Sequence, residues 1–292
     1  MRIWIAIPVF NRINYTLKCL ESLYNQSYRQ FEIVVCDHGS TDNTSRIISE
    51  KYPDVIVLNE SSDLWWTGAT NCCVRYILEH ASSDKDLILT LNNDLEVGDD
   101  YLSTLLDVSL RNPQSIVTSS GYDINSGKMI ESGSILSWVT SKTRKLKPVN
   151  NSQVNECNIA EVTHAPGRGT LVPIEVFREI GLYDERHLPH YGADYDFTLR
   201  ARKNGYKVYI SYCSKVFSHV EATGMTAIRS KFGWSSFRKY LLNIKSPANI
   251  YARWWLAYNN CPRLLLPTFI SFDLLFVIGS YFKYYLFSND KK

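Results

Sequence analysis

Several common sequence signals are missing from this chain. Its seven cysteines are odd in number and scattered, and none form a CxxC pair. Neither a disulfide framework nor a zinc site is therefore predicted, and a reducing cytoplasm fits this pattern best. The apolar stretch near the N-terminus is interrupted at Pro8, Asn11 and Arg12, which is too early for the apolar core of a signal peptide.

Glycine-rich nucleotide loops are also missing after the first apolar run. Neither GxGxxG nor GxxxxGK[ST] occurs there, which excludes the dinucleotide fingerprint and the P-loop. No recognised nucleic-acid-binding motif accompanies the basic residues of the chain either, so we expect no nucleic-acid partner.

The net charge of +3 is unevenly distributed. Residues 229–292 hold ten lysines and arginines against Asp273 and Asp290, so this tail is basic and the rest of the chain is acidic. From residue 229 to 263, basic and aromatic residues are interleaved without any acidic residue. This pattern is typical of helices that lie on an anionic membrane surface.

Residues 264–287 form an apolar stretch that is long enough to reach across a bilayer. Pro267, Asp273 and Lys283 argue against a simple span. We expect a monotopic or re-entrant anchor, with a transmembrane helix and a packed pair of helices as the alternatives.

The remaining sequence alternates between short apolar runs and helical patterns. This alternation predicts an α/β fold whose central sheet is mainly parallel, with right-handed crossovers. We expect an α/β domain at 1–224 and a helical membrane-associating segment at 225–292. The predicted strands are residues 2–9, 31–36, 55–58, 87–91 and 115–119.

Acidic side chains follow two of these predicted strands. Asp37 follows the second strand, and Asp94 follows the fourth in the sequence Asn-Asn-Asp. Ligands of open α/β sheets bind beyond the carboxyl ends of the strands, where an acidic residue can accept from a ribose or base. A carboxylate at this edge can also hold a divalent cation against a phosphate. The alternatives are an Asn/Asp-rich turn for 92–94 and an Asx turn with a helix cap for 37–42.

Three motifs, in this order and spacing, resemble those of family 2 glycosyltransferases with the GT-A fold. They are Ile-Pro-Val-Phe-Asn at 7–11, Asp-His-Gly-Ser-Thr-Asp-Asn-Thr at 37–44 and Asn-Asn-Asp at 92–94. The resemblance implies a Rossmann-like sheet flanked by helices, a nucleotide-sugar donor and a Mg²⁺ or Mn²⁺ ion held by Asp94. The residues that we expect to bind the nucleotide-sugar are Pro8, Phe10, Asn11, Asp37, Trp66, Gly68, Asn92, Asn93 and Arg168.

Two departures from the family pattern bear on the chemistry. Asn92 stands where the family often has the first Asp of its metal motif, so one negative charge is lost and metal affinity is expected to be weaker. Ala193-Asp194 stands where the family has Glu-Asp. Asp194 is nevertheless our candidate general base, and a helix cap is the alternative role for it.

The segment around Asp194 supplies the expected acceptor side. Asp196 lies two residues further on, where a helix points its side chain to a different face, and it is expected to pair with Arg200. Asp196 and His190 are predicted on the acceptor side. His219 follows a later apolar run, and the resemblance makes it a second metal ligand, with a structural histidine as the alternative.

These observations predict an inverting, metal-dependent transferase at the cytoplasmic face of the membrane. It would add one sugar from a UDP- or dTDP-linked donor to a lipid-linked or growing glycan, as in bacterial rhamnosyl- and galactofuranosyl-type enzymes of surface polysaccharide and O-antigen synthesis. Arg253-Trp254 resembles the QxxRW motif of processive synthases, but Ile250 replaces its glutamine, so processive synthesis is not expected.

Some questions stay open at the level of sequence. A sugar nucleotidyltransferase and a non-catalytic membrane-bound protein that binds nucleotide-sugars are the alternative functions. A homo-oligomer is an open option. Residues 122–161 are polar and poorly periodic, and they are expected to form loops or a small antiparallel excursion over the site.

Overall fold

The computed structural model describes residues 1–148, 157–222 and 233–288. The first half of the chain alternates between strands and helices, as predicted. Its elements are β1 (Ile3–Val9), α1 (Ile13–Tyr24), β2 (Phe31–Asp37), α2 (Thr44–Lys51), β3 (Ile56–Asn59), α3 (Trp65–His80), β4 (Leu87–Thr90), β5 (Leu95–Val97), α4 (Tyr101–Arg111) and β6 (Ser115–Asp123).

The second half contains several short strands, one long strand (Lys207–Ser218) and, at its end, three helices within the described residues. Its elements are β7 (Met129–Glu131), β8 (Ser134–Leu136), β9 (Thr143–Lys145), β10 (Ile159–Glu161), β11 (Thr170–Pro173), α5 (Ile174–Ile180), α6 (Ala193–Lys203), β12 (Lys207–Ser218), α7 (Trp234–Leu242), α8 (Ile250–Asn260) and α9 (Leu266–Ser288).

The central sheet has the strand order β10-β12-β6-β11-β4-β1-β2-β3. Strands β1 to β4 pair in parallel, and β12 pairs in parallel with β6. This confirms the predicted α/β class. Strand β11 was not predicted; it has only four residues and runs antiparallel between β4 and β6.

Both faces of the sheet are buried, which explains the continuous apolar runs of its strands. Along β1, Ile3, Ile5 and Ile7 enter one core cluster, whereas Trp4 and Ala6 enter the other. Helices α1 and α4 cover the first face, and α3, α5 and α6 cover the second. Two helical layers around a sheet leave the strand ends as the place for a site.

The polar region after β6 forms the predicted antiparallel excursion. Strands β8 and β9 make a separate two-stranded hairpin, and Trp138 in its loop lies against Phe269 of α9, with the ring centroids 5.0 Å apart. Residues 149–156 lie outside the described residues.

A disulfide is present, although the sequence predicted no disulfide framework. Cys157 and Cys213 are bonded, with their Cα atoms 5.6 Å apart. Strand β10 pairs antiparallel with β12, placing Ile159 opposite Ser211, and Cys213 lies in an irregularity between residues 211 and 215 of β12. This pairing joins residues 56 positions apart, and no local sequence pattern indicates it.

The C-terminal helices pack against the α/β body and against one another. Helix α8 contacts α6, and α9 contacts α8. In the described part of the chain, one helix, at Leu266–Tyr284, is long and apolar enough to cross a membrane by length and composition. The predicted domain boundary after residue 224 lies outside the described residues, so it stays a prediction.

We predict that Gly169→Ala destabilises the protein by more than Gly205→Ala. Both glycines have positive φ, +74° and +92°, so each substitution carries a backbone cost of about 1–2 kcal/mol. Only at Gly169 would the new Cβ lie 2.8 Å from Val216 and 2.9 Å from the Tyr101 hydroxyl oxygen, and such overpacking costs about 1–3 kcal/mol more. Urea unfolding of both variants measures the difference, and equal losses would contradict this packing argument.

Candidate active site

Asp94 lies at the carboxyl edge of the sheet, in the turn after β4. It is 6% exposed, and its Oδ2 lies 3.9 Å from Nη1 of Arg12. Burial raises the pKa of the Asp94 carboxyl, while the positive charges of Arg12 and Arg168 oppose that rise. Apart from this long contact with Arg12 and a contact with its own backbone N–H, no hydrogen-bonding or ion-pairing group within the described residues engages the Asp94 carboxylate, so its oxygens can bind a cation.

Asn92 is held by the first turn of α3. Its Oδ1 accepts a hydrogen bond of 3.0 Å from the indole nitrogen of Trp66. A Cβ at position 167 would overlap the same indole ring. Glycine at this position therefore lets the loop before β11 lie directly on Trp66.

The same glycine loop contacts Asp194. The Oδ2 of Asp194 accepts from the backbone nitrogen of Gly167 at 2.8 Å, and its Oδ1 accepts from that of Tyr195 at 2.9 Å. Burial raises the pKa of the Asp194 carboxyl, and these two N–H groups oppose the rise. Each carboxylate oxygen can accept more than one hydrogen bond, so Asp194 can still receive a hydroxyl.

Arg168 connects the two carboxylates electrostatically. Its positive charge lowers the pKa of both Asp94 and Asp194, and it also acts on Tyr191. A half-buried guanidinium that acts on two carboxylates suits recognition of a phosphate.

The loops after β1 and β2 are bound together. Ser40 Oγ accepts from the Asn11 backbone nitrogen at 2.6 Å, and Asn11 Oδ1 accepts from the Thr41 backbone nitrogen at 2.8 Å. Asn11 and Arg12 both have left-handed backbones, with φ of 56° and 66°. Such strain is maintained by surrounding contacts and concentrates at functional loops.

A cleft of about 390 Å³ opens beside these loops, and Asp37 lines it. The Ser45 hydroxyl lies between Asp37 Oδ2 and Asn59 Oδ1, at 2.5 and 2.6 Å. Phe10 is 45% exposed and stacks on His38, with ring centroids 5.3 Å apart. An aromatic platform next to acceptor oxygens fits a nucleoside.

Four of the residues expected to bind the nucleotide-sugar contact other parts of the protein and do not face open space. Pro8 is buried in β1 opposite Cys36, and Gly68 is buried in α3. The Asn93 amide donates to Thr16 Oγ1 at 2.9 Å, and Asn11 joins the two loops as described above. These four residues are engaged within the protein, whereas Phe10 is exposed and Asp37 lines the cleft.

His219 lies next to Asp94, but its ring is already engaged. Its backbone nitrogen donates to the Asp94 carbonyl oxygen at 3.0 Å, and Nε2 and Nδ1 lie 2.7 and 3.1 Å from carboxylate oxygens of Glu96 and Glu221. Metal binding requires an imidazole lone pair, so His219 must release Glu96 or Glu221 to become a ligand. Within 1–148, 157–222 and 233–288, no three His, Cys, Asp or Glu side chains form a metal-binding group.

The residues present therefore fit a divalent cation that has one protein carboxylate, that of Asp94, as a ligand. Such a cation would take most of its oxygen ligands from a bound diphosphate and water, as Mg²⁺ commonly does. Asn92, whose amide oxygen accepts from Trp66, leaves the local negative charge lower than an aspartate would.

Asp196 has a different role from the one predicted. The predicted pairing with Arg200 is present, with Nε 2.8 Å from Asp196 Oδ2. The side chain is fully buried, and its Oδ1 accepts from the amides of Asn260 and Asn259 at 2.7 and 3.1 Å. The acceptor-side position does not hold, because α8 covers this face of α6.

His190 packs beside an aromatic side chain of α3. Its ring lies 5.8 Å from that of Trp65, and its Nδ1 has no hydrogen-bond partner among the described residues. Burial, with Lys245 and His38 nearby, lowers the pKa of His190 to about 4, so the ring is neutral at pH 7. Lys245 itself lies 5.6 Å from the Trp65 ring, which brings the C-terminal segment to the edge of the site.

Sequence reasoning missed several residues that complete this arrangement. Arg12 follows the predicted residue Asn11, and Glu96 lies two positions after Asp94. Their closeness in sequence to predicted site residues could have identified them. Asn59 lies at the end of a predicted strand, where a polar residue is informative. Lys245 and Asn260 depend on how the C-terminal helices pack, and no motif indicates them.

The family model described as "Glycosyl transferase family 2" matches residues 4–178. A Haloferax volcanii protein named low-salt glycan biosynthesis hexosyltransferase Agl10 is 23% identical over 224 residues, which are 73% of this chain and 66% of that protein. Glycosyltransferase GlyA of Streptococcus pneumoniae is 27% identical over 126 residues, 42% of this chain and 17% of its own length. The chain thus spans less than two thirds of these relatives.

Solved structures show the same fold. S. aureus TarS 1-349 has a TM-score of 0.58 at 14% identity, covering 97% of this chain and 92% of that one. GalNAc-T7 with UDP, GalNAc and Mn²⁺ has a TM-score of 0.61 at 15% identity, covering 75% of this chain and 44% of that one. At these identities the likeness concerns the fold alone.

We predict that Asp196→Ala lowers the free energy of unfolding by about 3–5 kcal/mol, because it removes the buried carboxylate that pairs with Arg200 and accepts from the amides of Asn260 and Asn259. Asp107→Ala is the matched control. Asp107 pairs with Arg111 at the same i,i+4 spacing, but both side chains are at least half exposed, and such pairs contribute about 0.5 kcal/mol. Denaturant titration measures both variants, and a loss at Asp196 as small as that at Asp107 would contradict the buried role.

Proposed function

The chain belongs to glycosyl transferase family 2, and from that premise we propose an inverting transferase that moves one sugar from a nucleotide-sugar to a hydroxyl of a glycan. One observation carries the proposal. Trp66 hydrogen-bonds Asn92 and lies against Gly167, whose backbone nitrogen holds Asp194, and Arg168 of the same loop acts electrostatically on both Asp94 and Asp194. One carboxylate can thus face the leaving diphosphate while the other faces the acceptor hydroxyl.

Asp194 is the proposed general base. Inversion requires the acceptor hydroxyl to lose its proton while it attacks from the face opposite the leaving group. The N–H groups of Gly167 and Tyr195 fix the Asp194 carboxylate in one orientation, so an acceptor hydroxyl can donate to a remaining lone pair. Its raised pKa makes it a stronger base than an exposed aspartate.

Asp94 and Arg168 are the proposed diphosphate-side residues. A divalent cation, when bound, neutralises charge on the leaving diphosphate, and Asp94 would hold it. Arg168 adds a fixed positive charge to the same space. Either Mg²⁺ or Mn²⁺ suits a single carboxylate with phosphate oxygens.

The cleft beside Asp37 is the proposed nucleoside subsite. Phe10 and His38 offer a ring face, and Asp37 with Asn59 offers acceptors for an imide N–H or ribose hydroxyl. These acceptors support a UDP- or dTDP-linked donor, because uracil and thymine carry an imide N–H.

The proposed setting is a membrane surface, with a lipid-linked or growing glycan of a surface polysaccharide as the acceptor. The basic, aromatic C-terminal helices and the apolar helix α9 support it, with the transferase on the cytoplasmic face. The glutamine of the QxxRW motif is replaced by Ile250, which supports transfer of a single sugar.

We predict that Asp194→Asn abolishes sugar transfer but keeps donor affinity, because the amide cannot accept the proton. Asp94→Asn should instead weaken metal-dependent donor binding by at least about tenfold. Calorimetric titration with donor and Mn²⁺, together with a transfer assay, separates the two effects, and Asp107→Asn is the control at an exposed site. Full activity in either variant would remove that residue from the proposed mechanism.

We also predict the pH dependence of kcat/KM at saturating metal. The base is inactive when protonated, so the rate falls as the pH drops through the pKa of Asp194. Because that pKa is raised, the acidic limb should lie above the ordinary aspartate value of about 3.9. A rate that stays constant down to pH 4 would contradict Asp194 as the base.

A further inference from the structure

Helix α9 presents apolar side chains on its outer side. Phe272, Leu275, Phe276 and Phe282 are each more than 40% exposed, and Leu275 is 65% exposed. Its inner side packs through Phe269, Val277 and other buried residues. A helix that is apolar all round needs an apolar surrounding on its outer side as well.

The acidic residue of α9, Asp273, does not disfavour an apolar environment on the outer side of the helix. Asp273 is buried, and Arg253 of α8 binds both of its carboxylate oxygens. The ion pair lies between the two helices, so it cancels the charge of Asp273 on the inner side. The outer side of α9 stays apolar as a result.

The β8–β9 hairpin (134–145) lies directly beside this surface. Trp138 in its loop packs on Phe269, and the Lys142 ammonium lies 5.6 Å from the ring centroid of the exposed Phe276. The neighbouring Val139 is 58% exposed. The hairpin thus extends the apolar surface of α9 with a segment that is distant in sequence.

This hairpin and the residues after it are strongly basic. Residues 132–148 contain Lys142, Arg144, Lys145 and Lys147 and no aspartate or glutamate. All four basic side chains are exposed, and none forms a salt bridge with a described carboxylate. An apolar surface bordered by unpaired positive charges is complementary to an anionic bilayer, whose headgroups meet the charges while its acyl chains meet the apolar residues.

The hairpin is also tied to the catalytic loop. Ser134 Oγ lies 3.1 Å from Nε2 of His164, and the Leu136 backbone nitrogen donates to Thr163 Oγ1 at 2.9 Å. Residues 163 and 164 lead directly into the glycine loop that contacts Asp194. A surface that includes the hairpin would therefore orient the site relative to the membrane.

We propose that the β8–β9 hairpin and the outer side of α9 form one membrane-docking surface, with hairpin lysines and arginines binding anionic phospholipid headgroups. This inference rests on the membrane association proposed above and adds to it a second, distant segment. It assigns a role to a region between β6 and β10 that carries no catalytic motif.

The test compares full-length protein in vesicle flotation with phosphatidylcholine alone and with phosphatidylcholine containing phosphatidylglycerol. The test variant is Lys142→Gln/Arg144→Gln/Lys147→Gln. The control, Lys18→Gln/Lys51→Gln/Lys85→Gln, removes three exposed positive charges from other elements. Near an anionic surface each basic residue contributes about 1 kcal/mol, so the hairpin variant should lose at least about tenfold in partitioning to anionic vesicles.

The control should keep the affinity of the unaltered protein, and high salt should remove the difference between the two variants. Equal losses in both variants, or equal binding of the hairpin variant and the unaltered protein, would overturn the proposal. The proposal would also be overturned if the hairpin variant lost self-association and kept its binding to vesicles. It would be overturned as well if a soluble polyanion bound the hairpin as tightly as anionic vesicles do. Transfer to a water-soluble acceptor should be unchanged in the hairpin variant, so failure of docking and failure of the proposed catalysis remain distinguishable.

Discussion

The position of β4 between β1 and β11 determines the geometry of the site. Strand β4 pairs in parallel with β1 and antiparallel with β11, and the backbone nitrogen of Gly169 donates to the Thr90 carbonyl oxygen at 2.8 Å. The turn that leaves β4 and the loop that enters β11 therefore meet at one edge of the sheet. This brings Arg168 close enough for its positive charge to act on Asp94, 74 positions earlier in the sequence.

Hydrogen bonds join each element to the next from this edge of the sheet, through α6 and α8, to α9. Gly167 holds Asp194 at the start of α6, and on another face of the same helix Asp196 receives the amide of Asn260 from α8. Arg253 of α8 then binds Asp273 of α9. The proposed base and the proposed membrane-docking surface are thus parts of one packed unit, in which buried polar groups fix the relative positions of the helices.

Local sequence patterns predicted the parts of this arrangement that follow a strand end or a helix start. The first four strands, the positions of Asp37 and Asp94 and the pairing of Asp196 with Arg200 were of this kind, because apolar periodicity and helical spacing are local properties. The antiparallel β11, the Cys157–Cys213 disulfide, the carboxylates around His219 and the burial of Asp196 under α8 were not predictable. Each depends on contacts between distant segments, and tertiary packing decides these.

The most direct measurement of the central claim is product analysis after incubation with UDP- and dTDP-sugars, Mg²⁺ or Mn²⁺ and a glycan acceptor. The account predicts release of a nucleoside diphosphate and an acceptor that gains one sugar with inverted anomeric configuration, only when the divalent cation is present. Release of pyrophosphate, retention of configuration, or full transfer in the presence of a chelator would contradict it.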